Sequence, residues 1–140
     1  MNTDFIITYQ TTIKAPVNKV WDALTKPEIV KQYFFGSDLR TDWEKGSPVY
    51  FSGEYEGHAY EDKGIVLEYV ENQKLSYSYL SSWANLEDKP ENYLLVSYEV
   101  KALENGTELK ITQSNYTEEK AQHSKENWAS LVNEMKKMVE

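Results

Sequence analysis

The side chains in this sequence best equipped for chemistry are its tyrosines, 11 among 140 residues. Tyrosine joins an apolar ring to a hydroxyl, so a surplus suits a pocket wall or an interface as well as a core. The same residues also serve as strand formers with wet hydroxyls, and then need no further role. Tyr77 and Tyr79 alternate with Ser76 and Ser78, and Tyr98 falls in phase with Leu94, Val96 and Val100. Gln113 shares the phase of Leu109 and Ile111. An amide on an apolar strand face needs a partner, either a neighbouring tyrosine or a ligand, and the tyrosine is expected.

Other chemistries find less to work with. The two histidines are His58, in an expected turn beside Gly57, and His123, on the polar side of an expected helix. With no cysteine and no carboxylates at ligand spacing, no metal site is predicted. The carboxylates look scattered over solvent faces, in charged stretches such as Glu54 to Glu61 and Glu87 to Glu91, so no catalytic pair stands out. No nucleophile motif, phosphate loop or dinucleotide fingerprint occurs, and no cofactor is expected. A net charge of −8 and a pI near 4.8 argue against nucleic acid and against an anionic membrane surface. The N-terminus lacks a basic region followed by an apolar run, and no apolar run approaches about 18 residues. Together with the lack of cysteine, this predicts one cytoplasmic domain spanning residues 1–140.

The elements that must position these side chains follow from periodicity. Residues 4–14 are β-branched and aromatic and read as a strand, stopped by Ala15-Pro16. Pro16 suits the first position of a helix carrying Val17, Val20, Trp21 and Leu24, and Pro27 opens a second short helix to about Gln32. Strands are predicted at 38–42, 48–55, 62–71, 74–80, 92–102 and 106–115, with turns at Lys45-Gly46, Gly57, Asn72-Gln73 and Asn105-Gly106. The phase of 62–71 stays open, because Ile65/Leu67/Tyr69 and Val66/Val70 are both apolar.

From Thr117 to Glu140, the residues Ala121, Trp128, Leu131, Val132, Met135, Met138 and Val139 recur mostly at helical steps. Thr117 is the expected N-cap, with Asn115 as the alternative, and the helix would be roughly 33 Å long. A helix of that length needs an extended apolar surface. The antiparallel strands supply one, which predicts an α+β helix-grip fold: a curved antiparallel sheet of about six to seven strands wrapped around the long C-terminal helix.

Ile13-Lys14-Ala15-Pro16, Val20 to Thr25 and Pro27-Glu28 resemble the opening of the SRPBCC (START-like) superfamily. Within it they resemble the family of homologues of the heat-shock-protein-90 ATPase activator. Gly64 and Val66 followed by Leu75 and Tyr77 resemble its central hairpin, and Glu126-Asn127-Trp128 with Leu131 its terminal helix. Glycine is common there at the position of Asn127, and tryptophan at that of Tyr33. The resemblance implies a cavity between sheet and last helix.

Alternation offers Tyr77, Tyr79, Leu94, Val96, Tyr98, Leu109, Ile111 and Gln113 to line that cavity, faced by Trp128, Leu131 and Met135, with Tyr33, Phe35 and Trp83 at its mouth. Simple core filling is the competing role for each. Three functions follow as expectations: binding of a small apolar, lipid-like or aromatic ligand without catalysis; a co-chaperone-like module with a chaperone or homodimer partner and an exposed patch near Phe34, Phe35 and Trp83; or a cyclase- or hydrolase-like enzyme using cavity tyrosines. The superfamily's breadth means that fold alone does not choose among them.

Overall fold

The computed structural model describes residues 5–34 and 36–140, leaving aside the side chains of Tyr55 and Trp83. Strand β1 (Ile7–Ile13) leads into α1 (Val17–Thr25) and α2 (Pro27–Tyr33). Strands β2 (Asp38–Arg40), β3 (Pro48–Tyr55), β4 (His58–Val70), β5 (Lys74–Tyr79), β6 (Leu94–Leu103) and β7 (Gly106–Gln113) follow, and α3 (Glu118–Val139) ends the chain. Two single-turn helices, Ser82–Ala84 and Pro90–Asn92, shape the β5–β6 connection. The seven strands form one antiparallel sheet in the order β1-β7-β6-β5-β4-β3-β2. Because β1 pairs with the last strand, the two helices between β1 and β2 span the sheet from edge to edge. This is the α+β helix-grip architecture.

Local sequence explains most boundaries. Pro16 sits at the N-cap of α1, one position before the expected one, and its carbonyl accepts from the Lys19 and Val20 amides. Pro27 opens α2 as expected. Thr117 caps α3, its hydroxyl accepting from the Lys120 amide at 3.1 Å. Asn115 instead ties the last strand to the N-terminal segment by donating to the carbonyls of Phe5 and Gln113. Glu118 and Glu119 in the first turn of α3 and Lys136 and Lys137 in the last complement its dipole.

Strand β4 departs furthest from expectation. It starts at His58, not 62, because Glu56 and Gly57 both take left-handed backbone and close a two-residue hairpin with Tyr55 opposite His58. His58 therefore opens a strand rather than occupying a turn. A bulge between Val66 and Glu68 leaves Leu67 without a cross-strand partner and shifts the side-chain phase. Before it Asp62, Gly64 and Val66 face inward; after it Tyr69 does, packing on Trp21 and Trp43. Both candidate phases thus occur in one strand, and Ile65 and Leu67 are left exposed. Gly64 lies so close to β5 that a Cβ there would stand 1.6 Å from the Ser78 carbonyl oxygen.

Residues Ala121, Ser124, Trp128, Leu131, Val132, Met135 and Val139 form the buried stripe of α3, while Met138 is exposed. The stripe packs against β1, β7, α1 and α2. Trp21 anchors α1 to the sheet, donating from Nε1 to the Tyr69 hydroxyl at 3.0 Å. Among the described residues no helix is long and apolar enough to cross a membrane.

Candidate ligand-binding cavity

The sheet and α3 do not close on each other along their whole length. Toward the N-terminal end of α3 they diverge around a cavity of about 600 Å³. Inward-facing residues of β5, β6 and β7 supply one wall: Tyr77, Tyr79, Leu94, Val96 and Gln113. Ser124, Trp128 and Leu131, at helical three- and four-residue steps, supply the other. Phe34, just beyond α2, closes one side. It stacks on Phe51 at 5.3 Å and meets Trp128 edge-on at 6.0 Å.

Seven of the residues named from sequence for the site line this space: Tyr77, Tyr79, Leu94, Val96, Gln113, Trp128 and Leu131. Five others lie behind its wall. Leu109, Ile111 and Met135 are wholly buried core. Tyr98 supports Tyr77 through a hydroxyl–hydroxyl bond of 2.7 Å. Tyr33 is not at the mouth: its hydroxyl donates to the Ala23 carbonyl at 2.7 Å and ties α2 to α1. Phe35 and the Trp83 side chain lie outside the described residues. Gln113 departs from the expected tyrosine partner. Its Oε1 accepts from Trp128 Nε1 at 2.6 Å, and its amide nitrogen donates to Asn115 at 3.3 Å. This bond, from α3 to β7, joins helix and sheet at this point.

The cavity also holds a carboxylate that sequence reading placed on solvent faces. Asp62 is buried, and three donors converge on it: the Tyr79 hydroxyl, the Ser82 amide at 2.9 Å and the Ser82 hydroxyl at 3.2 Å. Such charge-assisted bonds compensate a buried carboxyl group for lost water. A signal for it existed: Asp62 precedes Val66 by four residues, so period-two alternation puts both on one face once Val66 is known to be inward. Ser37 and Tyr60 also line the cavity and share a hydrogen bond of 2.6 Å. Lys120 and His123 stand at its exposed rim.

Burial raises the pKa values of the cavity phenols. Tyr77 and Tyr98 lie well above the usual tyrosine value, chiefly through desolvation. Tyr79 is raised by burial first and then by the negative charge of Asp62. All three therefore act as neutral hydrogen-bond donors at ordinary pH. Among the described residues no group of three or more His, Cys, Asp or Glu side chains could hold a metal ion. The arrangement provides an apolar, aromatic enclosure with a few fixed polar atoms, the usual composition of a small-molecule site.

Comparison with known proteins agrees with this architecture. The solution structure of ChR145 from Cytophaga hutchinsonii is 42% identical, covers 99% of this chain and 95% of its own, and superposes with a TM-score of 0.85. DynU16, from the dynemicin biosynthetic locus, shares the fold at 19% identity and a TM-score of 0.78, over 96% of this chain and 46% of that one. The Aha1 dimer from Colwellia psychrerythraea shares it at 22% identity and a TM-score of 0.74, over 96% of both chains. No curated protein sequence matches significantly. The model of the family "Activator of Hsp90 ATPase homolog 1-like protein" matches residues 14–140. The chain belongs to that family, within the SRPBCC helix-grip superfamily.

Proposed function

We propose that this protein binds a small, largely apolar, aromatic ligand in the cavity between the sheet and α3, and that binding rather than catalysis is its task. The observation that carries this reading is the cavity itself, about 600 Å³ walled by Phe34, Tyr77, Val96, Trp128 and Leu131. A space of this size falls in the range of small-molecule sites. Asp62 also favours binding over acid–base catalysis, because three donors already engage its oxygens. The cysteine-free sequence supports a reducing, cytoplasmic setting.

A thermal-shift screen against a panel of lipids and aromatic metabolites tests the proposal. The control is Leu131→Trp, which fills the cavity from the helix side. A true ligand at about 100 times its Kd raises the melting temperature of the wild type by roughly 9 °C and leaves the variant unmoved. No shift across the panel, or an equal shift in the variant, contradicts the reading.

One observation favours a second role, contact with a protein partner or with another copy of the chain. Ile65 and Leu95 are 48% and 56% exposed on the outer face of the sheet, flanking Ser78. Phe34, by contrast, packs inward and does not contribute the exposed patch expected of it. Light scattering of the wild type and of Leu95→Lys tests this role, and a monomer that fails to capture a chaperone excludes it.

A further inference from the structure

The helix wall of the cavity is graded in polarity, and the gradient specifies a ligand class. In chain order, α3 contributes Lys120, His123, Ser124, Asn127, Trp128 and Leu131. The first two are exposed at the rim and the last two are buried. The wall thus runs from a cation, through polar side chains, to an aromatic and an aliphatic one. Glu118, Glu119, Glu126 and Glu134 lie on the same helix, yet none of them lines the cavity.

Lys120 is placed to meet an anion. Its Nζ lies 5.4 Å from the centroid of the Tyr116 ring, which lines the same cavity. That ring is held in turn, its hydroxyl donating to the Asn92 carbonyl at 2.6 Å. An ammonium resting on a ring keeps N–H donors for another partner. Among the described residues Lys120 forms no ion pair, whereas Lys136 and Lys137 at the other end of the helix do. His123, the other basic side chain at the rim, also lies beside Glu118, Glu119 and Glu126 in a neighbouring groove. The opposite wall disfavours an anion, because the one carboxylate among the described lining residues, Asp62, stands there. Deeper in, beside Trp128 and Leu131, an anion would be desolvated without a cation.

We infer that the cavity takes an amphipathic carboxylic acid, its carboxylate paired with Lys120 at the rim and its aromatic body directed inward toward Trp128 and Leu131. The inference rests on the cavity-binding reading and sharpens it. From Lys120 to Leu131 the helix rises roughly 16 Å, at about 1.5 Å per residue, which leaves room for a body of linked rings. A neutral compound of the same shape would fill the interior but leave Lys120 without its partner.

The experiment compares 4-biphenylacetic acid with its primary amide, which match in shape and differ in charge, by NMR titration of the full chain at about pH 7 and low ionic strength. The net charge of −8 works against any anion, so a preference for the acid must come from a local cation. The acid should bind the wild type roughly three- to fivefold more tightly, the effect of a well-placed, partly exposed ion pair. Added salt should shrink that preference. In Lys120→Gln the ratio of the two affinities should fall to about one or below, while the affinity for the amide holds. In Lys125→Gln, which removes a cation of the same helix outside the lining, the ratio should persist. Equal affinities in the wild type, tighter binding of the amide, or a preference that survives in Lys120→Gln overturns the inference and leaves the cavity reading standing. Failure of both compounds to bind also overturns it, and together with a screen without thermal shifts removes the cavity reading as well.

Discussion

Trp128 is both core and cavity wall, and truncating it to alanine separates the two roles. The residue is 7% exposed, its ring lies 5.6 Å from Tyr98 and 6.0 Å from Phe34, and its Nε1 donates to Gln113. A tryptophan that buries about 150–250 Å² at about 25 cal/mol per Å² sets a ceiling of roughly 4–6 kcal/mol. Residual burial in the denatured chain lowers that ceiling. So does the cavity, since one side of the indole already lacks packed neighbours. Losing the bond to Gln113 adds back about 1 kcal/mol. The expected cost of Trp128→Ala is therefore about 3–4 kcal/mol, within the range for large-to-small core changes. Trp128→Phe, which keeps most of the ring contact but loses the bond, should cost about 1–2 kcal/mol. Urea denaturation followed by far-ultraviolet circular dichroism measures both, provided the m-value stays constant. A loss below about 1.5 kcal/mol for the alanine variant would refute the reasoning and assign Trp128 to the wall alone.

Gly64→Ala should cost more than about 3 kcal/mol or abolish folding, because its Cβ meets the backbone oxygen of Ser78 at 1.6 Å. Gly46→Ala, with φ +90° but open space around it, should cost only about 1 kcal/mol, so equal losses in denaturation would contradict the close approach. Asp62→Ala should cost about 2–3 kcal/mol by stranding the Ser82 amide and the Tyr79 hydroxyl, and a loss under about 0.5 kcal/mol would mean that water reaches both. Stability should also fall steeply at high pH. Tyr33, Tyr77, Tyr79 and Tyr98 hold their protons more tightly folded than unfolded, so their contribution is complete below the ordinary value of 10.0 and is lost as pH rises above it. Each removes about 1.4 kcal/mol per pH unit there, and phenolate absorbance should show these tyrosines ionising only as the chain unfolds. Smooth titration of every tyrosine in the folded protein would contradict this.

The fold was legible because its signals are periodic and local. Alternation in β5, β6 and β7 assigned their inner faces, Pro27 and Thr117 marked helix starts, and the stripe of α3 demanded a sheet to lie on. The cavity lining was legible only where it coincides with that periodicity, as at Tyr77, Val96 and Trp128. Alternation names the inner face but not its depth, so it could not separate Ile111 and Tyr98, packed behind the wall, from Tyr77 in it. Asp62 escaped because a single bulge at Leu67 gives β4 two phases, and a carboxylate embedded in a charged stretch resembles a solvated one. Ser124 escaped because a lone serine on a charged helix carries no pattern. Gln113 correctly demanded a partner, but which side chain reaches it depends on how α3 crosses the sheet.

The most direct test of the central claim is a map of amide chemical-shift changes on titrating the best ligand of the screen into the isotopically labelled protein. The account predicts that the largest changes cluster on Tyr77, Tyr79, Val96, Gln113, Ser124 and Trp128, and that they vanish in Leu131→Trp. Changes confined to the outer face around Ile65 and Leu95, or spread evenly over the surface, would contradict it.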